Sequence, residues 1–103
     1  MDRVVDITEV VAREVADYVA TGIHGQATYF LRDDVQRIYA FVSVPYARPQ
    51  KSGIVLLVRV TTDNQVVIET DITDTPLYKA LIEAGVPRSQ IIRAYAGKTE
   101  PEP

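Results

Sequence analysis

The residues of this chain that could do chemistry are few, and most of them stand alone. His24 is the only histidine and there is no cysteine, so the sequence predicts no zinc site. A functional histidine needs a partner that orients it, but His24 lies between Ile23 and Gly25 in a predicted loop. We therefore expect His24 to be an exposed loop residue.

Two short acidic clusters are the remaining candidates for metal binding or acid–base catalysis. Asp71, Thr73 and Asp74 supply oxygen atoms, but their segment lacks the glycine and the final glutamate of a calcium loop. Asp and Thr residues before a helix commonly cap it, and we expect that role here. Asp33 and Asp34 are typical of a turn, with no third polar group to complete a catalytic set. The sequence thus predicts no catalytic, cofactor-binding or metal-binding residue and no enzyme.

Phosphate-binding and nucleophile motifs are also missing. The five glycines are scattered, and no serine stands in a Gly-x-Ser-x-Gly turn. Fourteen acids outnumber eleven bases, and nucleic-acid backbones are bound mainly through Lys and Arg. Direct DNA binding is therefore only an alternative hypothesis, which requires five bases to share one face: Arg32, Arg37, Arg48, Lys51 and Arg59.

Tyrosine is the one chemically versatile residue that is abundant. Six tyrosines occur in 103 residues, and tyrosine favours interfaces because it buries a large area and keeps a polar tip. Tyr46 and Tyr95 are the first candidates, and Arg88 and Arg93 lie near Tyr95 in the sequence. We predict these four residues as contacts with a protein partner.

A second function class is a small-molecule-binding regulatory domain or a small enzyme. Its candidate residues are Asp71, Asp74 and Arg59, around a pocket beside the second helix. A concave pocket with convergent polar groups would favour this class. A flat face with an exposed strand edge and tyrosines would favour partner binding.

The first part of the chain predicts a helix followed by strands. Apolar residues at helical spacing run from about Ile7 to Ala20, and Asp6 followed by Glu9 resembles a capping box. Four strands are predicted by β-branched and aromatic runs, at residues 26–31, 37–44, 54–60 and 65–70.

The connections between these strands predict an antiparallel meander. A hairpin joins the first two strands, 45–53 is a long loop, and a turn at 61–64 joins the last two. The run 54–60 is apolar except for Arg59, which favours a central strand covered on both faces.

The sequence predicts both ends of the second helix. We predict Thr75 as its N-cap and Pro76 as its first residue, where a missing N–H costs nothing. Gly85 is suited to a left-handed closing residue, and Pro87 prevents continuation. A last short strand is predicted from Ile91 to Tyr95.

These elements predict an α+β fold with an N-terminal helix, a four-stranded antiparallel meander, a helix and a short closing strand in two layers. We expect a single domain at 1–96 and a frayed tail at 97–103. No apolar stretch reaches the length of a membrane span, and the acidic start does not fit a signal peptide. We therefore expect a cytoplasmic protein.

The last third of the chain resembles the XisI family, the excision-controlling factors first named for the fdxN element. Residues 85–92, Gly-Val-Pro-Arg-Ser-Gln-Ile-Ile, are similar to the family's signature before a closing aromatic strand, here at Tyr95. Residues 63–71 resemble the family's hairpin and following strand, and the order of elements is similar over most of the chain. The chain differs from the family where Val67 replaces a usual Trp.

This resemblance implies a non-enzymatic control factor in regulated DNA excision. Such a protein acts beside a separate recombinase, through protein contacts, and a XisH-like, nuclease-like protein is the implied partner. An open edge of the predicted sheet also favours a homodimer.

Overall fold

The computed structural model describes residues 6–47 and 51–102. It confirms the predicted α+β class and order of elements. The helices and strands in chain order are α1 (Ile7–Thr21), β1 (Gln26–Asp33), β2 (Ile38–Pro45), β3 (Gly53–Val60), β4 (Val66–Asp71), α2 (Leu77–Glu83) and β5 (Ile91–Ile92), with short 3₁₀ turns at Arg88–Gln90 and Ala94–Ala96. The predicted loop 45–53 lies partly outside the described residues.

The five strands form one sheet in the order β1-β2-β3-β4-β5. The first four are antiparallel neighbours, as the predicted meander requires, and β5 runs parallel to β4. The predicted strand from Ile91 to Tyr95 is too long, because only two residues pair with β4. The backbone then turns, and the carbonyl of Arg93 accepts the N–H of Ala96 at 3.0 Å.

Helix α1 begins where the sequence predicts. The Asp6 carboxylate accepts the N–H groups of Thr8 at 3.1 Å and Glu9 at 3.4 Å, which satisfies donors that the first helical turn leaves unpaired. Val11 and Val15 lie on its apolar stripe and are completely buried against the sheet.

The predicted N-cap of α2 is wrong. The helix begins at Leu77, one residue after Pro76, and the Leu77 N–H is capped by the carboxylate of Asp71 at 2.8 Å rather than by Thr75. Thr75 instead uses its backbone carbonyl, which accepts from the hydroxyl of Tyr18 at 2.7 Å. The cap therefore comes from Asp71 at the end of β4, six residues before Leu77. Asp71 was among the residues expected to cap this helix, and it does so from across the connecting loop.

The C-terminal end of α2 is confirmed. The Val86 N–H donates to the Leu81 carbonyl and the Gly85 N–H donates to the Ile82 carbonyl, both at 3.0 Å. These two bonds form a Schellman motif, and Gly85 has the positive φ of +103° that the motif favours in glycine. Val86 is buried with Leu81 in the core, so this helix end is also an apolar contact.

Both helices lie on one face of the sheet, which we call the inner face. Its core unites Val11 of α1 and Leu81 of α2 with Tyr39, Leu56 and Ile68 of the central strands. The expectation that β3 is covered on both faces is wrong within the described residues. On the opposite, outer face Ile54 is 46% exposed and Arg59 is exposed. The reason is that α1 and α2 pack together on the same side.

Glu102, the last described residue, contacts the segment that follows β5. The Glu102 carboxylate accepts from the Arg93 guanidinium at 2.6 Å, and this bond lowers the pKa of Glu102. The domain bound at 96 and the tail at 97–103 stay predictions.

Candidate functional site

The outer face of β1, β2 and β3 is apolar, although no described helix covers it. Residues directly opposite each other in a sheet point to the same face. The register aligns Tyr29 with Val42 and Val42 with Ile54, so these three form a row across the strands. A row of exposed apolar side chains is typical of a surface that binds another molecule.

A second row follows along the strands. Leu31 pairs with Ala40 and Ala40 pairs with Leu57, again on the outer face. Tyr29 is 51% exposed and Leu31 is 54% exposed. We define the outer patch by its six larger members: Tyr29, Leu31, Val42, Val44, Ile54 and Leu57.

A β-bulge shapes this patch. The register shifts between Phe41 and Val42, where Phe41 pairs with Leu56 but Val42 pairs with Ile54. Val55 is the extra residue of the bulge, and it is buried with Leu56 in the inner core. Ile54 is thereby directed to the outer face.

The charged groups at the border of the outer patch already have partners. Arg59 donates to Glu69 at 2.6 Å across β3 and β4. Asp33 accepts the N–H groups of Val35 and Gln36 at 3.0 Å in the β1–β2 turn, and the bond from Gln36 lowers the pKa of Asp33. The patch is thus an uncharged surface with a satisfied polar rim.

The structure does not bring the four predicted partner contacts together. Tyr46, 76% exposed, follows β2 at the end of the sheet where β3 begins. Arg88, Arg93 and Tyr95 flank β5, which pairs with the start of β4 at the other end. These three are neighbours in one segment, and Tyr46 is remote from them.

Arg93 is held within the molecule. Its guanidinium lies over the ring of Tyr78 at 4.3 Å from the centroid and also donates to Glu102. A cation over an aromatic face is attracted by the ring's negative centre. Among the predicted contacts beside β5, Arg88 and Tyr95 are therefore the more accessible ones.

A cleft of about 620 Å³ lies between the C-terminal end of α1, β2, β3 and the segment after β4. Phe41 and Val55 supply apolar walls, and Ser43 is a buried polar residue there. Asp17 and Asp74 also line the cleft, and both are exposed. The size falls within the range of small-ligand pockets.

The three residues predicted for a small-molecule pocket are not brought together. Asp74 lines the cleft, whereas Arg59 lies on the outer face with Glu69. The Asp71 carboxylate accepts from the Thr73 hydroxyl at 2.6 Å and from the N–H of Leu77. Asp71 thus has a structural role.

The bases predicted for DNA contact are also dispersed. Arg32 pairs with acids of α1 and the β1–β2 turn, while Arg59 is on the outer face. Arg37 donates to the loop that joins β3 and β4, and Lys51 precedes β3 at the other end of the sheet. Arg48 lies outside the described residues.

Two further findings concern ligands and membranes. In residues 6–47 and 51–102, no group of three His, Asp or Glu side chains is placed to hold a metal ion, and His24 is exposed in a turn. Within the same ranges, neither helix has the length and apolar character needed to cross a membrane.

Comparison with known proteins gives the decisive observation. A family model described as XisI protein matches residues 1–101. The chain belongs to the XisI family. The resemblance predicted from residues 63–95 is therefore confirmed over almost the whole chain.

Solved structures of XisI-like proteins share the fold. One is a XisI-like protein from Anabaena variabilis, with 17% identity, a TM-score of 0.74, and coverage of 84% of this chain and 81% of that one. Another is described as fdxN element excision controlling factor XisI from Anabaena variabilis, with 14% identity, a TM-score of 0.64, and coverage of 87% and 93%. No curated protein matches the chain.

Sequence reasoning missed the outer patch as a site. The signal was present in β2, where the alternate residues on one face are all apolar: Ile38, Ala40, Val42 and Val44. The other face, which starts with Tyr39, is also mostly apolar. Both faces of β2 were readable as apolar. Only the strand register and the placement of both helices show which face the described elements leave uncovered.

Proposed function

We propose that this XisI family member is a non-enzymatic control factor in the regulated excision of a DNA element. The family match over residues 1–101 carries this proposal. It is supported by the likeness of the fold to a protein described as an fdxN element excision controlling factor. In this proposal the protein acts beside a recombinase and does not cut DNA itself.

The factor acts through protein contacts in the cytoplasm. Its proposed partner is a XisH-like protein, and it functions as a homodimer. The geometry supports protein contact because the outer patch is a broad apolar surface with a satisfied polar rim. The exposed Arg88 and Tyr95 beside β5 are the proposed contacts for the XisH-like partner.

Co-purification with the XisH-like protein of the same genome tests this proposal. The tagged full chain should retain the partner, and Arg88→Glu combined with Tyr95→Ala should weaken the retention at least about tenfold, as loss of two interface anchors does. Lys51→Glu with Val35→Ala is the matched control, because both residues are exposed and lie in the loop before β3 and in the β1–β2 turn, outside the segment around β5. Retention should be unchanged in that control.

A cellular readout completes the test. Deletion of the gene should change the amount of the excised-element junction measured by quantitative PCR, and the wild-type gene should restore it. An unchanged junction together with no partner retention would overturn the proposed function.

A further inference from the structure

We propose that the outer patch is the contact surface of the homodimer, in which two copies pack sheet against sheet. This inference rests on the homodimer of the proposed function and assigns its interface. The observation behind it is a continuous apolar face on β1, β2 and β3 that no element within residues 6–47 and 51–102 covers.

The exposure of this face is concentrated in large side chains. Tyr29, Leu31 and Ile54 are each about half exposed, and they lie in adjacent rows of the same face. Single exposed apolar residues are ordinary on protein surfaces, but a contiguous group marks an interaction site. A covering molecule would remove all three from water together.

The sequence of β3 also indicates that this face is covered. Residues 54–58 are an unbroken apolar run, the pattern of a strand buried on both sides. Within one copy, the helices cover only the inner side of Leu56 and Val58. A second sheet packed about 10 Å away, as in a β-sandwich, would cover the outer side of Ile54 and Leu57.

A second copy of the chain is the occupant that the charges of the patch favour. A two-fold interface places the same surface on both sides, so any unpaired charge would face its own kind. The outer patch contains no charged residue. At its border Arg59 and Glu69 neutralise each other, whereas Asp33 keeps its negative charge and is bound by N–H groups of the β1–β2 turn. The six residues of the patch can therefore face their copies without like-charge repulsion.

The size of the face is compatible with a dimer. Three strands spaced at about 4.8 Å and about 26 Å long give a flat area of roughly 370 Å². A standard interface buries about 800 Å² on each partner. Side-chain relief adds to this flat area, and the contact belongs to the smaller class of interfaces, which dissociate on dilution.

Pairing through the strand edge is the competing arrangement. β1 is an edge strand of the sheet, and a second β1 could extend the ladder. Edge pairing, however, would leave Leu31 and Ile54 exposed in both copies. Packing through the face covers them, and this is why we assign the face.

Light scattering coupled to size exclusion tests the assignment. The wild-type chain should have about twice its 11.5 kDa mass, and Leu31→Glu should halve that mass because it places two carboxylates in an apolar interface. Val35→Glu is the matched control, since Val35 is 93% exposed in the turn after β1. It should remain a dimer, and circular dichroism should show that both variants are folded.

Methyl NMR spectra recorded on dilution test the interface in the wild-type chain, without a variant. The methyl signals of Leu31, Ile54 and Leu57 should shift as the dimer dissociates, while those of the exposed Ile72 should not. In edge pairing, backbone amides of β1 would gain protection from hydrogen exchange on dimerisation instead.

The outcomes separate the two proposals. A mass of one copy at every concentration would overturn the homodimer and its interface together. A dimer that survives Leu31→Glu, with unmoved methyl signals, would overturn the face assignment and leave the homodimer standing. Partner retention by Arg88 and Tyr95 is measured independently of both results.

Discussion

At the residue scale, Asp71 resembles a site residue, but its carboxylate is occupied by hydrogen bonds that stabilise the fold. Its carboxylate accepts the N–H of Leu77 at 2.8 Å and both the N–H and the hydroxyl of Thr73, at 2.9 and 2.6 Å. A carboxylate with three donors has little capacity left for a ligand. Asp71 therefore joins β4 to the start of α2.

Replacing Asp71 should destabilise the protein measurably. Asp71→Ala removes the cap of α2 and leaves the Thr73 N–H without its acceptor, so the free energy of unfolding should fall by about 1–2 kcal/mol. Asp74→Ala, an exposed acid three residues later, should change it by less than about 0.5 kcal/mol. Urea unfolding of the two variants measures the difference, and equal values would contradict the structural role.

At the element scale, the C-terminal end of α2 depends on one glycine. Gly85 has a φ of +103°, and a Cβ added there would meet nothing within 4 Å. Any cost of a side chain at this position therefore comes from the backbone conformation and not from a clash.

Gly85→Ala should lower the free energy of unfolding by about 1–2 kcal/mol, the cost of a left-handed backbone in an L-residue. Gly53→Ala is the matched control, because Gly53 also has free space around it but lies in β3 without a positive φ. That variant should be neutral or stabilised by up to about 0.5 kcal/mol, since alanine loses less entropy on folding. Thermal unfolding distinguishes the two, and a neutral Gly85→Ala would disprove the motif's contribution.

The elements also show which information is local. The start of α1 and the end of α2 were predictable, because Asp6 and Gly85 act on backbone groups within five residues. The start of α2 was predictable only in part: a capping role was expected for the Asp and Thr residues before the helix, but not that Asp71 takes the place of Thr75 from across the β4–α2 loop. The outer face of β3 was misjudged for a similar reason: hydrophobicity shows that Ile54 prefers burial, but not whether a helix or another molecule covers it.

At the scale of the whole molecule, tyrosine hydroxyls tie the helical layer to the rest of the fold. Tyr18 of α1 donates to the Thr75 carbonyl at 2.7 Å, just before α2. Burial, together with the negative charge of Asp71, raises the pKa of Tyr18. Burial also raises the pKa of Tyr39, whose side chain belongs to the core. The folded state therefore favours the protonated, neutral form of both tyrosine side chains.

These shifts determine how stability should depend on alkaline pH. The pKa of each tyrosine is higher in the folded state than the value of about 10 in the unfolded chain, so both contribute fully below pH 10. Their contribution is lost as the pH rises through the folded-state values, because the unfolded chain releases the protons first. A Tyr18 phenolate, moreover, has no proton to donate to Thr75.

Unfolding in urea from about pH 8 to about pH 11 checks this dependence. Tyr18→Phe should cost about 0.5–1.5 kcal/mol at neutral pH, the value of a lost hydrogen bond, but should lose less stability than the parent on going to alkaline pH. Adding Tyr39→Phe should flatten the alkaline loss further. Tyr46→Phe, at an exposed position, should follow the parent curve. A double variant that loses stability as steeply as the parent would show that other groups control the alkaline transition.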